Sequence, residues 1–532
     1  MKRTLLVTVL IGAFALTSFA GGLLTNTNQS AQFVRMLSRN ASTQIDAVYF
    51  NPAGLIKLEN GWHFALHNQT IFQTRDITTG APLNNKEFTG EVSAPIFPTA
   101  FAVYKTDKLA FSLGFGPNGG GGSADYNKGL PSFEGMIATR VNGTLVPGLA
   151  GLSAIGLAVT PGYDADIQFS GQSVFWGIQL GVTGRISDAL SGYAGVRYLP
   201  SKNTYTGSIR DISLKVNGEM RNAYEFLNTT APATATTVAG QAEAAATNFT
   251  AGAALAGSLP AADPVTNSTL IALLTAIGQN PSTLSNGASQ QILTGAASSY
   301  MANANQLRAT AGVLKANASQ VADVEVDTDQ TGAGFTPIVG LNITPTENLN
   351  IGIKYEHKTY MTLVNDSRKS DAGLDFLKDG QEIGSDIPGI IAVGAEYKFS
   401  PKFLTSLSYN LYLDKGVDWG NNIYGQLRTI DKNSWEVALG FQYNLSEKFA
   451  LSLGGMQSNS GVSEQYQSDF SYSNTSNSGA LGFEWKIMEK MTLDAGMIYT
   501  IYKEANKKFQ TYSETYDKTN IAFGIGIGYS LF

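Results

Sequence analysis

The segment TENLNIGIKYEH, residues 346–357, sorts its side chains onto two unlike faces. Leu349, Ile351, Ile353 and Tyr355 fall on one side of an extended chain; Asn350, Gly352, Lys354 and Glu356 fall on the other. Successive side chains of a strand point to opposite faces, so this alternation reads as a strand between two different surroundings. The same grammar, a short polar turn and then an alternating strand, recurs along the chain. It is present in TDKLAFSLGFG (106–116), SDALSGYAGVRY (187–198), SPKFLTSLSYN (400–410), SEKFALSLGGM (446–456) and MEKMTLDAGMIY (488–499). The chain ends in KTNIAFGIGIGYSLF (518–532). There Ile521, Phe523, Ile525, Ile527, Tyr529 and Leu531 share an apolar face, opposite Ala522, Gly524, Gly526, Gly528 and Ser530.

The turns before these strands are tight, whereas the connections at the opposite strand ends are long and variable. That asymmetry is expected of an outer-membrane β-barrel. Upward strands begin near Gly61, Leu109, Leu190, Leu349, Phe403, Phe449 and Thr492. Downward strands end near Lys105, Ser187, Pro345, Ser400, Ser446, Met488 and Phe532. The expected fold is therefore all-β, a transmembrane antiparallel barrel of about 14 strands, an even number as in bacterial single-chain barrels. In hydrocarbon every backbone group must be paired, so the sheet must close. Many strands read as about 15 residues long against the ~9–11 needed to cross, and should project above the membrane. Tyr104, Tyr198, Tyr397, Phe399, Tyr443 and Tyr529 near strand ends suit interfacial aromatic girdles. A soluble sandwich offers no place for Lys354, Glu396, Glu436 and Glu484 inside otherwise apolar strands; a lumen does.

The first residues, MKRTLLVTVLIGAFALTSFAGG, join a basic start (Lys2, Arg3) to a short apolar core and a small-x-small site at Ser18–Ala20. This is the pattern of a cleaved secretory signal peptide over 1–20, and the core is shorter than a membrane span needs. The 532 residues carry a formal charge of −6, 15% charged residues, 57 glycines and no cysteine. Absence of cysteine excludes disulfides, thiolate metal sites and cysteine nucleophiles, and the mild acidity argues against a nucleic-acid partner. No metal or other cofactor is expected.

Three connections are more than loops. Residues 119–163 open glycine-rich and run into an uncharged stretch containing LVPGLAGLSAIGLAV (145–159), whose prolines and glycines oppose a spanning helix. Residues 216–322 are rich in Ala, Thr and Asn, with at least two helical patterns. One is NSTLIALLTAI, capped by Asn267 or Ser268, and the other runs from about Ala288 to Val321. Residues 366–385 contain a short amphipathic turn with Leu374 and Leu377. An exposed apolar loop usually marks a binding site. Leu145, Leu149, Leu152, Ile155 and Leu157 are therefore expected to line a capture groove, with the helices of 216–322 as its other wall.

The stretch LSRNASTQIDAVYFNPAGLIKL (37–58) precedes the first strand. With its Ser38, Arg39, Asp46 and the NPAG of Asn51, Pro52, Ala53 and Gly54, it resembles the long-chain fatty-acid transporter (FadL) family of outer-membrane proteins. The strand number, the large loop after the fifth strand and DIPGIIAVGAEYKF (386–399) extend the resemblance over most of the chain. It implies that residues 21–60 form a small hatch inside a barrel built from 61–532. Val48, Phe50, Leu55 and Ile56 would then pack on the inner wall, with Asn51 tying the turn, Pro52 presetting its angle, and Ala53 and Gly54 allowing close approach. It further implies that a hydrophobic ligand is captured outside, enters an interior pocket and leaves sideways at a kinked third strand. Here that strand is LAFSLGFGPNGG (109–120), where Pro117 removes a ladder donor and Gly114, Gly116 and Gly119 invite a bend. Two features depart from the family pattern: Phe532 is out of register with the apolar face of its strand, and the 216–322 insertion is larger than usual.

The rival readings are an enzyme, a general diffusion porin and a surface adhesin. His63, His67 and His357 form no cluster with carboxylates, and no GxSxG element is present. An open porin has no use for a hatch. The expected function is passive uptake of hydrophobic compounds, most simply long-chain fatty acids or similar lipids, across a bacterial outer membrane by a monomer. Its partners would be the ligand, outer-membrane lipids and the barrel-assembly machinery. Arg39, Arg140 and Lys354 are the candidate basic anchors for a ligand carboxylate, with Phe50 in the pocket.

Overall fold

The structure, a computed structural model, describes residues 30–370, 377–421, 427–509 and 512–531. The expected leader at 1–20, the first residues of the expected hatch, Leu374 and Phe532 lie outside the described residues.

Fourteen antiparallel strands form the barrel wall. The first six are β1 (Gly61–Thr79), β2 (Glu87–Lys105), β3 (Leu109–Tyr126), β4 (Val159–Arg185), β5 (Leu190–Val216) and β6 (Val324–Thr346). They are followed by β7 (Leu349–Glu356), β8 (Gly389–Ser400), β9 (Phe403–Leu413) and β10 (Ser434–Asn444). The last four are β11 (Phe449–Asn459), β12 (Ser476–Met488), β13 (Met491–Tyr502) and β14 (Ser513–Leu531). β1 pairs with β2 on one side and β14 on the other, so the sheet closes on itself. β5 pairs with β6 across the large insertion. Short extra strands, Thr362–Ser370 among them, extend the wall where β7 stops; that one pairs with the first half of β6.

Alternation decides which side chain meets which medium. In β7, Ile353 and Tyr355 face outward and exposed, while Lys354 and Glu356 are buried inside. In β14, Phe523, Ile525, Ile527, Tyr529 and Leu531 are exposed, and Ala522 is buried. Tyr104, Tyr198, Tyr397, Phe399, Tyr443 and Tyr529 are likewise exposed near strand ends. An apolar band of this extent is stable only against lipid, since each exposed leucine forgoes about 1.5–3 kcal/mol of burial in water. Among the described residues no helix is long and apolar enough to cross a membrane.

The structure corrects two expectations and adds to a third. Strand lengths are not uniform near 15: β1–β6 and β14 run 18–27 residues, and β7–β13 only 8–13. The first insertion begins after Tyr126 and ends before Val159, narrower than 119–163. Its glycines stay in β3 because a ladder needs backbone groups, not side chains, and Gly119, Gly120 and Ala124 pair with Phe175, Val174 and Gly171 of β4. The second insertion, expected to hold at least two helical patterns, contains both of them and a further long helix, Ala231–Gly257. Ala231–Gly257 escaped notice because its buried stripe is alanine (Ala235, Ala239, Ala242, Ala246), which gives little hydrophobic contrast with its neighbours.

Contacts divide the chain into two units. The barrel unit holds Met1–Glu134, Ile167–Ser208 and Val324–Phe532. The second holds Gly135–Asp166 and Ile209–Asp323, built on the antiparallel pair Ala231–Gly257 and Asn286–Ala318. Ser268–Ala276, capped by the Asn267 side chain, packs Leu270 and Leu274 against Phe249 and Leu293. Arg308 and Glu243 form an exposed ion pair across the long helices.

Tight turns at one barrel end and long connections at the other set the orientation in the membrane. A peptide tag at Gly240 should bind antibody on intact cells, and a tag at Lys402, in the turn between β8 and β9, only after lysis. Labelling of the Lys402 tag on intact cells would reverse the orientation.

Candidate functional site

The segment before β1 is the most deeply buried part of the barrel unit. Ser30 caps the short helix Ala31–Arg35 by accepting from Phe33 N. A second helix, Ala47–Phe50, leads directly into the 3-10 turn Pro52–Lys57. Phe33 stacks on Phe50 at 5.4 Å, and Tyr49 meets Phe50 edge-on at 5.0 Å. Val34, Leu37, Val48 and Leu55 join Ala65, Phe97, Phe101 and Ala522 of the wall in one apolar cluster.

The wall admits this segment because its inward side chains are missing at the contact. A Cβ at Gly440 would stand 2.5 Å from Met36, at Gly482 2.5 Å from Arg35, at Gly496 2.7 Å from Arg35, and at Gly524 2.8 Å from Val34. Gly482, Gly496 and Gly524 are consecutive ladder partners on β12, β13 and β14. The glycine belt is thus a seat for the backbone of 34–41.

Charge pins the seat. Arg35 donates to Asp494 through Nε (2.7 Å), to Glu484 through Nη2 (2.8 Å), and to Gln442 and Ser452 through Nη1. Arg39 forms two hydrogen bonds to Asp46, at 2.7 and 2.8 Å, and also reaches Ser42 and Gln44. Burial pushes the Asp46 carboxyl up, but the Arg39 charge and the hydrogen bonds of Arg39 and Ser42 outweigh it and hold it below the usual carboxylate range. In the NPAG turn, Asn51 donates to Ser42 O and to Asn342 Oδ1 of β6. The Pro52 and Ala53 carbonyls accept from Thr183 and Ser191 of β4 and β5. A Cβ at Gly54 would lie 2.5 Å from Asn51 Nδ2, so only glycine fits.

Beside the turn lies a second network. Arg197 pairs with both oxygens of Glu356 (2.7 and 3.0 Å) and donates to Gln179 and Asn118. Lys354 donates to Glu356 (2.7 Å) and to Tyr49 O (2.7 Å). The Tyr49 ring has Arg197 at 4.9 Å and Lys354 at 4.7 Å from its centroid. Asn118 lies in the third strand, where the wall itself changes. β2 and β3 pair from Lys105–Ala110 to Ala100–Phe115, then not again until Val92–Ala124. Residues 93–99 and 116–123 leave a break in the ladder that contains Pro95, Pro98 and Pro117, none of which has an N–H to give. β3 stays paired with β4 throughout, apart from two register shifts at 117–119 and 120–123. On the lumen side of the break a small cleft is lined by Val48, Phe101, Gly114, Gly116, Asn118 and Arg197.

At the tight-turn side of the seated segment is a cavity of about 870 Å³, lined by Arg39, Glu396, Lys398, Lys448, Glu484 and Lys486 among others. Its lining mixes these charged groups with Met36, Phe403, Leu404 and Phe449.

The residues expected to serve the ligand are placed as follows. Phe50 is in the apolar cluster, and Gly114, Gly116, Pro117 and Gly119 sit at the ladder break. The guanidinium of Arg39 and the ammonium of Lys354 are engaged by Asp46 and Glu356. Arg140 donates to Gln320 O inside the helical unit. Leu145, Leu149 and Leu152 are buried within that unit, and Ile155 and Leu157 are half-buried, so most of their apolar surface is already covered. The reading of sequence missed Arg35 and Arg197, and gave Glu356 a face but no role. Position parity could have found Arg197, a charge on the inward face of an apolar strand.

These features define a hatch-plugged barrel with a break in its wall. The fold is that of a FadL homologue from Pseudomonas aeruginosa: TM-score 0.58, 14% identity, 96% of this chain and 100% of that one covered. The Pseudomonas putida toluene transporter TodX is similar at TM-score 0.51 and 12% identity, over 96% and 100% of the two chains. A TodX monoaromatic hydrocarbon channel mutant is similar at 0.52 and 12%, over 94% and 99%. No protein-family model matches the sequence and no curated protein matches it.

Two outcomes test the seat. Arg35→Met leaves Asp494 and Glu484 without their cation, a change that typically costs about 3–5 kcal/mol. The barrel should fold, by heat-modifiable gel mobility, while single-channel conductance in planar bilayers rises. Asp46 has a folded-state pKa below its unfolded one, so its contribution is present above about pH 4 and is lost as pH falls through the folded value. Conductance should stay low from neutral pH to about pH 4 and rise below it, and Asp46→Asn should show the higher conductance at neutral pH.

Proposed function

We propose that the chain is a member of the FadL family that carries hydrophobic compounds passively across the outer membrane, as a single chain, and releases them sideways through the break between β2 and β3. The observation that carries this reading is the interrupted ladder beside a small cleft and the seated segment 30–58. Irregular backbone is tolerated at membrane depth only where it is buried in protein or lines a cavity, which fits an opening bordered by the seated segment and the cleft. The alternative route, past the tight turns, crosses a cavity in which an apolar ligand would border the charges of Lys398, Lys448, Glu484 and Lys486. The driving force is partition, about 25 cal/mol per Å² of apolar surface removed from water.

The P. aeruginosa protein is a FadL homologue and TodX a toluene transporter, so the ligand is drawn from hydrophobic molecules of that range. Long-chain fatty acids are our choice within it. Ile155 and Leu157, which keep some exposed surface, are the proposed first contacts for capture.

The absence of cysteine allows a reversible test. Thr99 and Gly116 are the next positions beyond the last Ala100–Phe115 pair. In the variant T99C/G116C, oxidation should close the break and suppress uptake of both oleate and toluene into cells, and reductant should restore it. Uptake that continues with the disulfide formed would place the exit elsewhere.

A further inference from the structure

Resting on the uptake reading, we infer that Asn68 is a positioning residue for release. It holds the break between β2 and β3 open and so sets the widest ligand that can leave.

Asn68 stands half-buried in the lipid-facing stripe of β1, between the exposed side chains of Leu66 and Phe72. Its neighbours on β14 fix the depth: Asn68 lies opposite Ile525 and Thr70 opposite Phe523, both exposed on the outer wall. An amide among such neighbours loses hydration and needs hydrogen-bond partners within the protein. It has them. Asn68 Oδ1 accepts from Phe97 N at 2.9 Å, and Nδ2 donates to Pro95 O at 3.1 Å. Thr70 Oγ1 donates to the same carbonyl at 2.9 Å.

These bonds close over a bulge in β2. Gln69 pairs with Phe97 and Ile71 with Ala94, so Pro95 and Ile96 together oppose Thr70 alone. The extra residue leaves Pro95 and Ile96 both exposed on the outer wall. A bulge disrupts the ladder, bends its strand and raises the local twist. In water the freed N–H and C=O would be hydrated; at this depth only a protein group can meet them. The side-chain amide of Asn68 carries a donor and an acceptor, as a peptide group does, and takes the place of the missing ladder partner. On the ladder itself Asn68 lies opposite Pro98, which has no N–H.

The bulge falls in the middle of the break. β2 leaves β3 after Ala100 and rejoins it at Val92, with Pro95 and Ile96 between. β3 stays tied to β4, so the width of the opening depends on how far β2 bends. Without Asn68, Pro95 O and Phe97 N lose partners in hydrocarbon, and the bulge relaxes toward a straighter strand lying closer to β3. The opening then narrows, and wide ligands are excluded before slender ones. Asn68 acts through β2, because its side chain is on the outer face and the cleft beside the break is on the lumen side.

The test compares toluene with pyrene, two flat hydrocarbons of different width, for uptake into cells carrying the full-length protein. Asn68→Leu should lower pyrene uptake roughly 10-fold, the scale for leaving a buried hydrogen-bonding group unpaired, and toluene uptake less than about twofold. Thr70→Val leaves the Asn68 bonds in place and should have a smaller effect, and Asn68→Gln, which keeps the amide, should retain part of the pyrene uptake. Spin labels on the variant I96C/L113C, at exposed positions of β2 and β3, should read a shorter separation once Asn68→Leu is added. Heat-modifiable mobility checks folding, and Asn68→Ser carries the same comparison if the leucine variant fails to fold. Equal losses for the two probes, or an unchanged label separation, overturns the role of Asn68 and leaves uptake standing. If wild type admits toluene alone, the label separation decides. Wild type that takes up neither probe overturns the uptake reading itself.

Discussion

The constraint on which the molecule rests is that a backbone N–H or C=O facing hydrocarbon must be paired. Closure of β1 onto β14 answers it around the wall. The break between β2 and β3 is where the answer is withheld, and the chemistry that withholds it is simple. Pro95, Pro98 and Pro117 cannot donate, and the glycines around Pro117 let the strand bend away without collision. A defect that would be ruinous on a random strand is placed where β3 keeps its other ladder to β4. The wall therefore stays continuous on one side of the break.

Inside the barrel, packing and charge divide the labour. Glycines on consecutive strands remove the Cβ atoms that would strike residues 34–41, so the segment approaches to van der Waals contact. Arg35 then supplies a directional tie to two carboxylates on β12 and β13. Buried ion pairs contribute modestly to net stability but are costly to break singly, so such a tie serves position more than overall stability. The network of Arg197, Glu356, Lys354 and Tyr49 does the same beside the break, with Asn118 of the broken strand as its outermost member. The seated segment and the edge of the opening are thereby joined through hydrogen bonds of 2.7–3.0 Å.

The aromatic fastening at Tyr472 contrasts with these ties. Arg35, Arg39 and Arg197 each meet a carboxylate, whereas Arg75 meets a ring.

Alternation with period two, read along the sequence, settled the number of strands, their starts and which faces meet lipid, because each strand's pattern is local and lipid rewards every outward apolar residue alike. Gly61, Leu109, Leu190, Leu349, Phe403 and Phe449 begin strands as their turns require. The buried lead-in at 37–58 was legible in its apolar residues and NPAG. Tertiary structure alone decided the partners of the charges. Lys354 and Arg39 look like free anchors in one dimension, yet Glu356 and Asp46 engage them in three. Arg75 is an unremarkable residue in ITT-flanking sequence until β14 brings Lys518 beside it from more than four hundred residues away. The Ala231–Gly257 helix was hidden for the same reason, since alanine shows its buried stripe only against a partner helix. Solvent preference is a property of single residues and is written along the chain; pairing is a property of two, and only the closed barrel brings them together.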